Sequence, residues 1–365
     1  MKTGNKKISV IGNGPLSLSI AAIFSQRGGR VNYIDVQKDE NAHKELQKAA
    51  TVTVTGAKSF TAALDSVTRS FAKLPEAGII AITVTPSVYE EVFPQIIENL
   101  TDHQQVIFFP ASFGALAFKN KIYSRRNVPG NFTISEAVSY PWVCSQQGPA
   151  GICVQSVKDK LRLAVCPYEK RDEIVTMYNS YFSIFEGAAN FLETSLDNIN
   201  MILHPLPILL NISAAEEYTA EFRHYMDGFS PTIGMLLEEM DQERLELGRA
   251  LGIQLIPTLR QLKDYYGDFD TTTIAGYVNR SDGPYIDVKG FGLKSRYITE
   301  DIPALVVATF NIARVLKVQV PIFELCLMVA NSVCQTDFLA HGVSLHSIGL
   351  AGREKTDIIS AINSL

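Results

Sequence analysis

The stretch Lys7-Ile8-Ser9-Val10-Ile11-Gly12-Asn13-Gly14-Pro15-Leu16-Ser17 decides how the first half of the chain reads. A short β-branched run ends on a glycine turn, and an apolar stretch with proline in its first turn continues to about residue 27. Strand, glycine turn and helix in that order frame a dinucleotide-binding G-x-G-x-x-G fingerprint. Gly12 permits the tight turn. Gly14 lets backbone approach a pyrophosphate, which then rests on the helix N-terminus beside Asn13, Pro15 and Leu16. Ser17 stands at the third glycine position and is still small enough for close helix–strand packing. About 20 residues further on, Asp35 ends a second strand over residues 31–35, where a carboxylate accepts hydrogen bonds from a ribose 2′-OH. The same carboxylate repels a 2′-phosphate, so NAD is expected over NADP, with Lys38 near enough to blunt the preference. The bland alternative is an incidental glycine turn.

Outward from this motif, β-rich runs at residues 51–55, 78–85 and 105–110 are followed, from the second of them on, by helical stretches at 88–100 and 114–123. Alternation of nearly continuous apolar strands with helices predicts a parallel sheet covered on both faces. Thr83, Thr85 and Pro86 at the carboxyl end of one strand, and residues 111–114 after the next, are expected along the cofactor. Further strands are read at 132–138, 151–157 and 161–166, the last two as a hairpin through Lys158-Asp159.

Past Tyr168 helical periodicity takes over, at residues 172–185, through 214–252, and at 303–315 and 321–335. Within 233–251, Leu236, Leu237, Met240, Leu245, Leu247 and Leu251 share a face. Glu238, Glu239, Asp241, Glu243 and Arg244 are read as the solvent side. The expected architecture is α/β: an N-terminal Rossmann domain with a doubly wound, mostly parallel sheet over residues 1–185, then an all-helical domain over 186–365. The apolar run 322–333 serves either as core or as the face of a homodimer.

Composition narrows the function. The 365 residues are 46% hydrophobic and 19% charged, an ordinary globular balance. The net charge of −5 argues against nucleic acid and against an anionic membrane surface as partners. Five cysteines without C-x-x-C spacing suggest neither a disulfide framework nor a zinc site, and point to a reducing compartment. Lys6-Lys7 and the apolar run after them imitate a signal peptide, but the Gly12–Pro15 turn splits that run. With no long apolar window elsewhere, a cytoplasmic protein is expected.

Chemistry must come from the second half. Of His43, His103, His204, His224, His341 and His346, only His204 stands out, as part of Asn200-Met-Ile-Leu-His204-Pro205, a polar pair among apolar residues that needs a hydrogen-bonded reason to be buried. A second polar cluster is Arg296-Tyr297-Ile-Thr-Glu300-Asp301-Ile-Pro303, which also makes a plain helix start. Together with Gly12-x-Gly14 and the run Asp241-Gln-Glu-Arg244, these motifs resemble the opine dehydrogenases of the octopine/nopaline type, along the whole chain. The resemblance implies that His204 and Asp301 form a catalytic pair and that Arg296 holds a substrate carboxylate, with Asn200 as a further substrate contact. It also implies condensation of an amino acid with an α-keto acid such as pyruvate, the imine being reduced by NAD(P)H. The alternatives are a ketopantoate-reductase-like or 2-hydroxy-acid dehydrogenase acting on a keto acid alone, and a non-catalytic dinucleotide sensor.

Overall fold

The computed structural model describes residues 6–125, 129–289 and 292–358. The chain divides into two compact units, one running through Thr194 and the other from Ser195.

The first unit is α/β. Its strands are β1 (Lys7–Gly12), β2 (Arg30–Asp35), β3 (Thr51–Gly56), β4 (Phe60–Ala63), β5 (Ser66–Thr68), β6 (Ile79–Thr83), β7 (Gln105–Phe108), β8 (Thr133–Ala137), β9 (Trp142–Gln146), β10 (Gly151–Val157), β11 (Leu161–Cys166) and β12 (Phe185–Gly187). Eight of them form one sheet in the order β12-β11-β8-β7-β6-β1-β2-β5. All neighbours in it are parallel except β11 against β8. Strands β6 and β8 are buried along their whole length, as sheets covered on both faces require.

Strand β3 belongs elsewhere. It lies in a separate four-stranded sheet, β4-β3-β10-β9. Its Thr-Val alternation buries Val52 and Val54 and leaves Thr53 exposed, which suits a sheet covered on one face only. The expected hairpin of β10 with β11 is therefore incorrect. Strand β10 pairs with β3 and β9, whereas β11 pairs with β8 and β12. Lys158, read as half of a tight turn, instead sends its ammonium to Ser139 Oγ (2.6 Å) and the Tyr140 carbonyl (3.0 Å), pinning the crossing between the sheets. The helix expected to reach residue 185 stops at Asn179, whose side chain bonds both backbone groups of Phe185 and starts edge strand β12.

The second unit is helical. The long helix expected across residues 214–252 is broken into Ile212–Glu217, His224–Asp227 and Pro231–Leu251. Ser230 Oγ caps the last of these by accepting from Ile233 N (3.2 Å), and Pro231 fills its first position.

Inside that helix the expected solvent face holds for Glu239, which is exposed, but not for three of the other charged residues. Asp241, Glu243 and Arg244 are buried. The Arg244 guanidinium reaches Asp197 (2.8 Å), Asp241 (2.7 Å) and the carbonyls of Leu196 and Ile256. Glu243 accepts from the first N–H groups of helix Pro321–Cys334, those of Ile322 (2.7 Å) and Phe323 (3.1 Å). Charge periodicity reports exposure only when the charges lack internal partners, and here each has one. In helix Pro321–Cys334, Phe323, Cys326, Leu327 and Ala330 face the core while Leu325 and Met328 are exposed. No described helix is long and apolar enough to cross a membrane.

Candidate active site

The loop between β1 and helix Gly14–Gln26 is built from backbone economy. A Cβ on Gly12 would fall 2.0 Å from Thr83 Oγ1 and 2.2 Å from Ser17 Oγ, so only glycine fits. Gly14 holds φ +74, a left-handed turn that brings the next residues into the helix. Ser17 does more than save space. Its hydroxyl accepts from Asn13 N (3.0 Å) and lies 2.7 Å from Thr83 Oγ1, tying the loop to the end of β6. Asn13 is exposed and Pro15 and Leu16 half-buried in the first helical turn, while Thr85 precedes the short turn Pro86–Val88 with its hydroxyl 2.8 Å from Ser87 Oγ. Beside Gly14 lies a cavity of about 300 Å³, lined among others by Tyr33, Gln37, Leu46 and Pro149.

Asp35 ends β2 as the sequence requires, but its carboxylate is enclosed. Oδ2 accepts from Gln37 Nε2 (3.0 Å) and shares a hydrogen bond with His43 Nδ1 (2.8 Å), and Oδ1 accepts from Gln37 N (3.1 Å). His43 comes from helix Glu40–Ala49, which the sequence reading did not find because only His43 and Leu46 of that helix are buried.

In the helical unit, positions nearly a hundred residues apart meet. His204 Nδ1 lies 2.6 Å from Asp301 Oδ2, with both side chains buried. The local chain explains the placement. His204 N–H donates to the Asn200 carbonyl, and Pro205, which has no N–H, ends that turn and begins the helix Pro205–Leu210. His204 is thereby held at a kink among apolar neighbours, with Asn200 one turn before it and half-buried. Asp301 immediately precedes a wide helical turn, Ile302–Val306, that runs into helix Val307–Leu316.

Three aromatic residues complete the pocket around the imidazole. Tyr297 stacks on it at 3.6 Å and 6°. The Tyr225 hydroxyl lies 3.0 Å from Nε2. His224 donates from Nε2 to the Leu203 carbonyl (2.9 Å), and burial next to His204 pushes its protonation down to about 3. It is a neutral neighbour.

Burial pushes Asp301 up to about 7, against the pull of Arg296, and Glu300 likewise to about 7. The Arg296 guanidinium sits 5.4 Å from the Tyr297 ring centre, on an exposed side chain. The structure thus brings His204, Asp301 and Arg296 into one neighbourhood. Tyr297 stood inside a quoted motif without a role, and nothing in the sequence marked Tyr225, which lies in a stretch read as continuous helix.

An imidazole whose Nδ1 is fixed by a carboxylate has a set tautomer and a stabilised protonated form, leaving Nε2 as the nitrogen for proton transfer. A guanidinium nearby can grip a carboxylate with two parallel hydrogen bonds. Among the described residues there is no cluster able to hold a metal ion.

The family model described as NAD/NADP octopine/nopaline dehydrogenase, alpha-helical domain, matches residues 187–334. An opine dehydrogenase of Arthrobacter sp. (strain 1C) is 28% identical over 98% of this chain and 99% of its own. Among solved structures, octopine dehydrogenase with NADH and L-arginine aligns with a TM-score of 0.70 at 15% identity, over 99% of this chain and 98% of its own. Yersinopine dehydrogenase with NADP+ bound aligns at 0.66 and 16%, over 100% and 99%. Those two likenesses speak for the fold, and the family match speaks for the half that carries His204, Asp301 and Arg296. Residues 187–334 of this chain thus resemble the alpha-helical domain of the octopine/nopaline dehydrogenases, and the chain as a whole is similar to an opine dehydrogenase.

Proposed function

We propose that the chain catalyses NAD(P)H-dependent reductive condensation of an amino acid with an α-keto acid such as pyruvate, yielding an N-(carboxyalkyl) amino acid. The observation that carries this reading is the buried His204–Asp301 pair with Arg296 beside it. Arg296 holds the keto-acid carboxylate and polarises the adjacent carbonyl. His204 takes the proton that frees the amine and returns one to the departing oxygen, and Asp301 keeps its ring oriented. Asn200, one turn from His204, is a further contact for the substrate. The bound nicotinamide supplies the hydride.

For the cofactor, Gly12, Asn13, Gly14, Pro15 and Leu16 form the phosphate cradle, and Thr83, Thr85 and Pro86 border it. NAD is preferred because the Asp35 carboxylate opposes a 2′-phosphate at the end of β2. Its bonds to His43 and Gln37 hold it where the ribose is expected, and ribose binding requires Gln37 to give way.

The test is oxidation of NADH and of NADPH in the presence of pyruvate and a panel of amino acids, with the product identified by mass. Turnover that needs both organic substrates and yields the secondary amine is expected. Oxidation that runs equally well with the amino acid omitted points to simple keto-acid reduction instead.

A further inference from the structure

We infer that the protons His204 gives and takes in the proposed condensation pass through the hydroxyl of Tyr225, which makes Tyr225 a catalytic residue. The inference rests on that reading of the reaction and deepens it. His204 has no ring nitrogen open to a substrate: Nδ1 is on Asp301 (2.6 Å) and Nε2 is on Tyr225 Oη (3.0 Å). Tyr297 covers a ring face at 3.6 Å. A substrate atom approaching Nε2 meets the Tyr225 hydroxyl first.

Tyr297 and Arg296 both act electrostatically on that phenol, and the Arg296 guanidinium lies 5.4 Å from the Tyr297 ring centre. The Tyr225 hydroxyl on His204 Nε2 and the Tyr297 ring stacked on the imidazole therefore lie in the neighbourhood of the guanidinium assigned to the substrate carboxylate. A keto acid gripped there has its reacting carbon one bond away from the gripped group, close to the same hydroxyl. Tyr225 is itself fixed, stacked on Tyr285 at 4.2 Å and buried. Burial holds its phenol well above the ordinary value, so it passes protons on and does not keep a charge.

The protons balance in both steps. When the amine is freed, the substrate ammonium N–H breaks and its proton goes to Tyr225 Oη, while the hydroxyl's own proton moves to His204 Nε2. When the carbinolamine loses water, Nε2–H returns its proton to Tyr225 Oη and the hydroxyl's proton goes to the leaving oxygen. The C–O electron pair departs with that oxygen, and the nitrogen lone pair closes the C=N+ bond. Nothing is oxidised or reduced until hydride arrives.

The test compares full-length wild type, Tyr225→Phe and His204→Ala by kcat, by NADH affinity from fluorescence, and by a proton inventory in H2O–D2O mixtures. Tyr225→Phe is expected to lose about 100-fold in kcat, with NADH affinity unchanged. The inventory should change from curved, with more than one proton in flight, to linear. Were Tyr225→Phe poorly folded, a fluorotyrosine placed at residue 225 keeps the ring size, and kcat should then follow the acidity of the phenol. A Tyr225→Phe enzyme with wild-type kcat, an inventory that keeps its curvature, or a kcat indifferent to fluorination overturns the relay. If His204→Ala is inactive while Tyr225→Phe is not, the relay alone falls; a wild type that forms no secondary amine overturns both readings.

Discussion

Two buried histidine–carboxylate pairs sit in this molecule, one in each unit, and they are nearly identical as pairs. His43 Nδ1 meets Asp35 Oδ2 at 2.8 Å, and His204 Nδ1 meets Asp301 Oδ2 at 2.6 Å. Their surroundings differ. The Asp35 carboxylate is satisfied by Gln37 from within its own loop, eight residues or fewer from every partner. The Asp301 pair is assembled over 97 residues and carries a hydroxyl on the far nitrogen, with a second carboxyl and a guanidinium as neighbours in sequence. On the reading proposed above, a histidine–carboxylate contact is not by itself a mark of catalysis, and what surrounds the far nitrogen and the acid sets the two pairs apart.

The sharpest way to break this contrast is to remove each histidine in turn. His204→Ala is expected to lose about 1,000-fold or more in kcat for the condensation and to bind NADH as wild type does. His43→Ala should do the reverse, with kcat nearly retained and NADH binding weakened. Steady-state kinetics beside fluorescence titration of NADH separate the two, and equal losses of kcat in both variants would show the pairs to be functionally alike.

The same contrast explains what could be read from the chain beforehand. The loop after β1 is contiguous, so its turn, its flanking strand and Asp35 all lie within one window, and β1, β2 and β6 emerge near where the sequence places strands. The departures share a physical cause. Lys158, Asp241, Glu243 and Arg244 look like turn or surface residues until their distant partners, 12 to 80 residues away in sequence, are known. Strand β3 joins a different sheet because pairing depends on which faces are covered, which local pattern only hints at. His204, Asp301 and Arg296 were found through the resemblance to a family. Tyr225 escaped because a tyrosine in a presumed helix carries no signal of its own.

Arg296 offers a milder break. Its side chain is exposed, so truncation leaves little packing to lose, and Arg296→Ala should fold as wild type. The carboxylate grip it removes is a charged, two-pronged hydrogen bond worth about 1.5–3 kcal/mol, so the keto-acid KM should rise roughly 10- to 100-fold. The amino-acid KM should move much less. An unaltered keto-acid KM takes Arg296 out of the site.

Glu300 gives the smallest expected effect and the finest probe of what sets the second pair apart, since the first has the neutral amide of Gln37 beside its acid. Burial raises the folded-state value of Glu300 from 4.5 to about 7, with Asp301 adding to the rise and Arg296 opposing it. Below pH 4.5 the carboxyl is neutral whether the chain is folded or not, so its contribution to stability is then fully present. Between 4.5 and about 7 the unfolded chain releases the proton while the folded one keeps it, and that contribution is lost as the pH climbs. Glu300→Gln cannot titrate. Relative to it, wild type should therefore lose stability from pH 4.5 to 7.5, by about 1–2 kcal/mol once partial solvent screening is allowed for, and level off above. Equilibrium urea unfolding of both proteins across that range measures the gap directly, and a gap that stays constant with pH means Glu300 is solvated like any surface carboxylate and plays no part in the field around Asp301.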